Sequence, residues 1–540
     1  MTSTADTARR QERYEALGMW TQERLGWLIE QNGQRWPDRE FTMFKGVRYS
    51  YGEFARWVRL TARDLVARGI GPGDRVLVQL PNCLEALLLQ LAAFRIGAVV
   101  SPVVPIYREH EMKQILADLR PKAVVVSVEL GQRRPAAEMA NLLDGLGLDV
   151  AVRYCVGGPV DGWATLPELG LDDVDPAQLP DPAPGDECAL VLYTSGTTAA
   201  PKGAMLSGRA IMALGRTLRL RMGIGSDDVI MNGTPVSHVS GFVNGFLLPA
   251  VAGCRTVLLS EWKPDDAVDV VEQEGGTFMS GGSVFLLDLV QRYEAGRSPD
   301  HRLSKFLSGG APTPASLFQR AEGLGITVLT CYGMTETGGP CTLPRPEDPP
   351  EVRMEFDGLI GEGTEIQAVD ENRKPLPHGQ TGELRIRGPQ VMAGYTNSQV
   401  SAAQLDEDGW FYSGDVGFVT EDGWLRMVGR IKDLINRGGE KFSCQDIEAA
   451  LVAYPDIDRA AVVGVPDERF GEAVGAFVTL MPGAAWAGPE KVIDFLEQMK
   501  LAKQKRPVVW HVLPALPTTP SGKVQKNKLL EMHLSHGGSE

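Results

Sequence analysis

The stretch YTSGTTAAPKG, Tyr193 to Gly203, crowds glycines, hydroxyl side chains and one lysine into eleven positions. Small residues let backbone N–H groups close round an anion, the hydroxyls add donors and Lys202 adds a point charge, so the expected guest is phosphate. This is not a Walker A loop. That pattern needs Gly directly before its Lys and Ser or Thr after it, whereas Pro201 precedes Lys202 and Gly203 follows. A second stretch, YGMTETGG (Tyr332 to Gly339), sets an aromatic face beside Gly333, then a hydroxyl and a carboxylate. Adenine could stack on Tyr332, Thr335 could touch a phosphate and Glu336 could hold Mg2+.

In FYSGDVG (Phe411 to Gly417), Asp415 is expected at a Gly-flanked turn, where its carboxylate can accept both hydroxyls of a ribose; a plain turn aspartate would look the same. GRIKDLINRGGEKFSCQDIE (Gly429 to Glu448) lies where the chain changes texture, and LPTTPSGKVQKNKL (Leu516 to Leu529) puts Lys523 after a Gly on a Pro-stiffened loop.

Positioning these stretches requires alternating strands and helices. DRVLVQL (Asp74 to Leu80) and AVVVSV (Ala123 to Val128) read as buried strands, and CLEALLLQLAAFRIG (Cys83 to Gly97) as a helix apolar all round. The texture is βαβ, implying parallel sheet covered by helices. DVDPAQLPDPAPGDE (Asp173 to Glu187) reads as a surface linker, CALVLYT as the strand leading into the hydroxyl-rich loop, and Ser207 as the N-cap of the helix after it. From Leu359 to Tyr395 short alternating runs between turn residues predict antiparallel strands or a small barrel, and from about Ile431 a separate small α+β domain is expected.

At 540 residues the chain exceeds what one hydrophobic core holds, and with 43% hydrophobic and 23% charged residues it can build several. A net charge of −15 opposes nucleic acid and anionic membrane surfaces as partners. Seven scattered cysteines without a CxxC pair suit free thiols in a reducing compartment. The first twenty residues lack an apolar segment and no run of eighteen apolar residues occurs, so no signal peptide, no membrane span and a cytoplasmic location are expected.

In their order and spacing these stretches resemble the adenylate-forming superfamily of acyl-CoA synthetases, peptide-synthetase adenylation domains and firefly-type luciferases. The resemblance covers nearly the whole chain and takes in two further pieces, SGGAP (Ser308 to Pro312) and DERFGEAVGAFV (Asp467 to Val478). It implies a large N-terminal domain, residues 1–430, of two α/β subdomains plus a small β-barrel part at about 355–430. A mobile C-terminal α+β domain, residues 431–540, would follow a hinge at Lys432.

The resemblance implies ATP, Mg2+ and coenzyme A as reactants and no tightly bound prosthetic group. Thr194, Ser195, Gly196, Thr197, Thr198 and Lys202 would hold phosphates with Thr335, Glu336 would carry Mg2+, and Gly309, Gly310, Ala311, Pro312, Tyr332 and Gly333 would line the adenine side. Asp415 and Arg430 would hold the ribose. Lys523 would bridge the carboxylate and the α-phosphate, then leave as the Gly438–Gly439 loop enters with the thiol. His238, Gly241, Phe242, Gly281, Gly282 and Gly338 fall at acyl-pocket positions.

No acidic residue lies between Ser237 and Pro249, which disfavours an amino-acid substrate, and the apolar run HVSGFVNGFLL favours an apolar acid. Gly281 and Gly282 stand where the family often has bulkier residues, suggesting room; Ala199 stands where Gly is usual. The expected reaction is ATP-dependent formation of an acyl-CoA from a medium-chain, alicyclic or aromatic acid. A carrier-protein thiol as acceptor and an inactive nucleotide-binding homologue are the alternatives, and a homodimer stays open as the assembly.

Overall fold

A computed structural model describes residues 4–170, 173–194, 201–297, 301–310, 312–437, 440–518 and 524–536. The chain divides into two compact units, residues 1–365 with 387–411 and residues 366–386 with 412–540.

The first unit contains two seven-stranded sheets. One runs in the order Thr327–Thr330, Lys305–Ser308, Phe278–Gly281, Val229–Asn232, Arg255–Leu258, Glu40–Phe44 and Val47–Ser50, parallel except for the final hairpin. The other runs Gly394–Tyr395, Lys202–Ser207, Cys188–Thr194, Val99–Pro102, Arg75–Gln79, Ala123–Ser127 and Val152–Val156, parallel from Cys188–Thr194 onward and antiparallel at the other edge. The α/β character is the expected one, but the sheets interleave in sequence: residues 40–50 leave their neighbours to pair beside Arg255–Leu258.

The helix Leu84–Arg95 is rich in Leu and Ala, strong helix formers, and buries every residue but Glu85, which explains its lack of a polar face. It packs on the helix Tyr51–Ala67, whose start is fixed by Ser50 and Glu53 in a reciprocal capping box. Arg95, at its end, is fully buried. Its guanidinium donates to the carbonyls of Pro176 (2.7 Å) and Pro180 (2.6 Å), meets Glu30 at 3.2 Å and lies 4.2 Å from the Trp27 ring centre.

The segment read as a surface linker is therefore strapped down over its described part. Val174 and Leu179 are buried, and Asp173 pairs with Arg59 at 2.6 Å. The reason is chemical: prolines break any strand ladder and leave carbonyl acceptors that a buried guanidinium can use.

In the second unit the strands Glu365–Val369, Gly382–Arg387, Phe411–Val419 and Leu425–Arg430 form a four-stranded sheet in that order. The strands Glu440–Ser443, Leu434–Arg437, Gly471–Leu480 and Ile457–Asp467 form another, with Val509–Val512 joined to Gly471–Leu480 in parallel. The helices Cys444–Val452 and Pro489–Gln498 contribute Ile447, Leu451, Val492 and Leu496 to its core. The seven cysteines are free thiols, and no helix among the described residues is long and apolar enough to cross a membrane.

Replacing Arg95 by Met should destabilise the first unit by about 3 kcal/mol, the low end for breaking a buried pair, because Arg59 still meets Glu30. Urea unfolding and the rate of proteolytic cutting within 173–187 check this; an unchanged cutting rate would show that Arg95 does not hold the segment.

Candidate active site

The hydroxyl-rich loop joins two antiparallel strands, with Tyr193 opposite Gly203 and Thr194 opposite Lys202. This hairpin setting differs from the strand–loop–helix setting of a P-loop. Ser195, Gly196, Thr197, Thr198 and Ala199 lie outside the described residues, while the stem is defined in detail. Tyr193 donates its hydroxyl to Asp118 Oδ2 at 2.6 Å, and Thr396 Oγ1 donates to the same oxygen. Burial, then Asp118, pushes the Tyr193 hydroxyl's pKa up, so it stays a donor. Lys202 Nζ donates to Gln404 Oε1 at 3.1 Å and lies 5.5 Å from the Tyr395 ring centre.

Glu336 sits on a tight turn. Tyr332–Met334 pairs antiparallel with Gly339–Thr342, and Thr335–Thr337 forms one 3-10 turn between them. The Thr337 hydroxyl accepts from Met334 N at 3.0 Å and donates to Gly339 O at 2.7 Å, closing the turn. Tyr395 donates its hydroxyl to Glu336 Oε1 at 2.8 Å, and Met392 N donates to the Glu336 carbonyl at 2.9 Å. The same short segment reaches the loop stem: Ala393 N donates to Met205 O at 2.9 Å and Thr396 N to Gly203 O at 2.8 Å. Residues 392–396 thus tie the Glu336 turn to the strand leaving the hydroxyl-rich loop. Asp118, Tyr395 and Thr396 escaped sequence reasoning, because only the strand pairing of Gly394–Tyr395 brings the last two there and Asp118 comes from the distant helix Glu109–Leu119.

The other first-unit positions gather at the carboxyl ends of the parallel strands, where ligands of α/β sheets bind. Gly309 follows Lys305–Ser308, and its N–H donates to Gly281 O at 3.2 Å. Cys331 N donates to Ser308 O at 3.0 Å, which sets Gly309, the first of the expected adenine-side residues Gly309, Gly310 and Pro312, beside the start of the Tyr332 turn. Ala311 lies outside the described residues. Tyr332 is largely buried and Gly338 closes the Glu336 turn with φ +68.

His238 caps the helical turn Val239–Phe242, with Nδ1 accepting from Ser240 N at 3.4 Å and lying 3.0 Å from Ser240 Oγ. Nδ1 acts as acceptor, so the proton of the neutral ring belongs on Nε2. Phe242 is buried and packs edge-on against Phe94 at 5.9 Å. Asn244, one of the buried residues of the run read as apolar, donates to Ser280 Oγ at 2.6 Å and is satisfied there.

Two of the glycines expected at the acyl pocket are close-packed. A Cβ on Gly241 would lie 1.9 Å from the Pro235 carbonyl oxygen, so the chain needs glycine there for backbone contact. A Cβ on Gly281 would lie 3.0 Å from the Phe285 ring, which holds the space that the sequence suggested was free. Gly282 precedes and caps the helix Ser283–Glu294.

In the second unit, Asp415 lies within the strand Phe411–Val419, opposite Arg430, rather than at the turn expected of it; Gly414, with φ +72, supplies only a local kink. Asp415 is buried and Arg430 Nε meets its Oδ1 at 2.8 Å. Lys432 lies in the 3-10 turn Ile431–Asp433 between the strands Leu425–Arg430 and Leu434–Arg437. Gly438, Gly439 and Lys523 lie outside the described residues. The helix after Lys523, Lys526–His536, is anchored by Lys526 Nζ on Glu448 Oε1 at 2.7 Å, an oxygen that also accepts from Val462 N.

Residues 29–396 match the family described as AMP-binding enzyme, and residues 446–523 match the AMP-binding enzyme C-terminal domain. A medium-chain fatty-acid–CoA ligase of Escherichia coli K12 is 34% identical over 96% of this chain and 92% of its own length. A feruloyl-CoA synthase of an Amycolatopsis species is 31% identical over 90% of this chain and 94% of its own. The ATP-bound crystal structure of MatB from Rhodopseudomonas palustris, 30% identical, superposes with a TM-score of 0.83 over 95% of this chain and 99% of that one. The chain belongs to the AMP-binding enzyme family, in its acyl-CoA synthetase branch, and is an AMP-forming carboxylate–CoA ligase.

Burial pushes the His238 imidazole below its ordinary 6.5. Between that lowered value and 6.5 the unfolded chain binds a proton that the folded chain does not, so the His238 contribution is intact above 6.5 and lost as pH falls below it. His238→Gln should lose less stability than the native chain when pH drops from about 7.5 to about 5.5. Urea midpoints at both pH values check this; equal losses would contradict the burial of a neutral ring.

Proposed function

We propose that the chain activates an apolar carboxylic acid, medium-chain, alicyclic or aromatic, by adenylation and hands the acyl group to the thiol of coenzyme A. In the first step a carboxylate oxygen bonds to the α-phosphorus of ATP and pyrophosphate leaves. In the second the thiol sulfur bonds to the acyl carbon, AMP leaves with the bridging oxygen, and the thiol proton is released. The first step sets one anion against another, so donors and cations must stand where charge gathers.

The observation that carries this reading is the tie between the phosphate-loop stem and the Glu336 turn through residues 392–396. It joins a hydroxyl-rich loop with one lysine to a carboxylate on a rigid turn, the parts that hold a metal-bound triphosphate. The donor set fits Mg2+: Glu336 offers a hard carboxylate oxygen, and no group of three or more His, Cys, Asp or Glu that could hold a metal occurs among the described residues. An ion held by one carboxylate, waters and substrate phosphates suits that arrangement, and it would supply charge neutralisation.

In this reading Thr194 to Thr198, Lys202 and Thr335 hold phosphates, Gly309 to Pro312 with Tyr332 and Gly333 flank adenine, and Asp415 and Arg430 hold the ribose. Lys523 bridges carboxylate and α-phosphate during adenylation. The C-terminal domain then turns about Lys432, and the Gly438–Gly439 loop replaces Lys523 beside the thiol. The apolar acid is supported by the medium-chain relative and by the buried Phe242 and Phe246, and His238 belongs to the same wall.

A screen of single carboxylic acids by pyrophosphate release should peak on medium-chain, alicyclic or aromatic acids. Mass analysis should then find the acyl-CoA; adenylation that yields acyl transfer only to a carrier protein would replace coenzyme A as acceptor. Lys523→Ala should lower adenylation by roughly 100-fold or more, the scale of removing one preorganised charge-stabilising group, yet leave attack of CoA on supplied acyl-adenylate within a few-fold. Equal loss in both half-reactions would contradict the exchange of Lys523 for the Gly438–Gly439 loop.

A further inference from the structure

The geometry points to Tyr395 as a positioning residue that aims the Glu336 carboxylate through its hydroxyl and so sets the affinity of the site for Mg2+. The inference rests on the reading of Glu336 as the metal-bearing carboxylate. Tyr395 is 2% exposed, and its hydroxyl donates to Glu336 Oε1 at 2.8 Å.

A hydrogen bond to a carboxylate oxygen fixes the plane of the group and leaves the second oxygen to face a cation. Outer partners of this kind orient metal ligands elsewhere in proteins. Two features make the hold stiff. The Glu336 backbone carbonyl accepts from Met392 N, three residues before Tyr395, so main chain and side chain are held by one segment. That segment pairs with the outgoing strand of the phosphate loop, Gly394 opposite Met205 and Tyr395 opposite Ala204, so the carboxylate is referenced to the loop that holds the phosphates. The Tyr395 ring also carries Lys202 Nζ at 5.5 Å, a contact that a phenyl ring keeps.

Tyr395→Phe deletes the hydroxyl and leaves the ring, its packing and the strand pairing. ATP binding is to be titrated without acid, so that no reaction runs, across a range of Mg2+ concentrations, for the native chain, Tyr395→Phe and Glu336→Gln. The expected result for Tyr395→Phe is a Mg2+ requirement raised about 10-fold, the low end for loss of an outer partner, with Mg2+-free ATP affinity unchanged. Glu336→Gln should lose the Mg2+ response more completely. If Glu336→Gln loses it while Tyr395→Phe matches the native chain, or if Tyr395→Phe weakens ATP equally with and without Mg2+, the positioning role is overturned and the Glu336 reading stands. If Glu336→Gln itself keeps the native Mg2+ response, the metal reading of Glu336 falls and the role of Tyr395 falls with it.

Discussion

Joining a carboxylate to a triphosphate forces two anions together, and the site we propose for that step is organised by one short stretch of backbone. Residues 392–396 hydrogen-bond on one side to Met205 and Gly203 and on the other to Glu336. The strand Lys202–Ser207 and the Glu336 turn lie far apart in sequence, yet both hydrogen-bond to this one edge segment. Asp118 completes the stem by accepting from Tyr193 and Thr396 together, so its carboxylate is satisfied by two hydroxyl donors.

The remaining first-unit architecture supplies rigid supports. The parallel strands end at Asn232, Gly281, Ser308 and Thr330, and their carboxyl ends carry the segments that begin with Gly233, Gly282, Gly309 and Cys331. Close approaches such as Gly241 on Pro235 and Asn244 on Ser280 leave little slack in the wall near His238.

Much of this was legible in the sequence where the signal is local. The all-round apolar helix at Leu84–Arg95, the Ser207 cap and the strands around Val76 and Val124 follow from period, propensity and capping chemistry, and each forms within a few residues of its expected bounds. What failed was non-local. Asp415 read as a turn residue because its flanking glycines speak louder than its pairing with Arg430 across a strand. Gly281 read as space, since a missing Cβ looks alike whether a ligand or a neighbouring ring fills the gap. The prolines of 173–187 read as loose because Arg95, their partner, lies some eighty residues earlier.

In the proposed reaction a carboxylate oxygen, rather than water or the thiol, attacks the α-phosphorus. Turnover with an acid labelled with 18O in both carboxylate oxygens tests this directly. The labelled bridge oxygen should appear in AMP, one atom per turnover, with none in pyrophosphate. Unlabelled AMP, or label in pyrophosphate, would contradict the adenylate and with it the functional reading of the site.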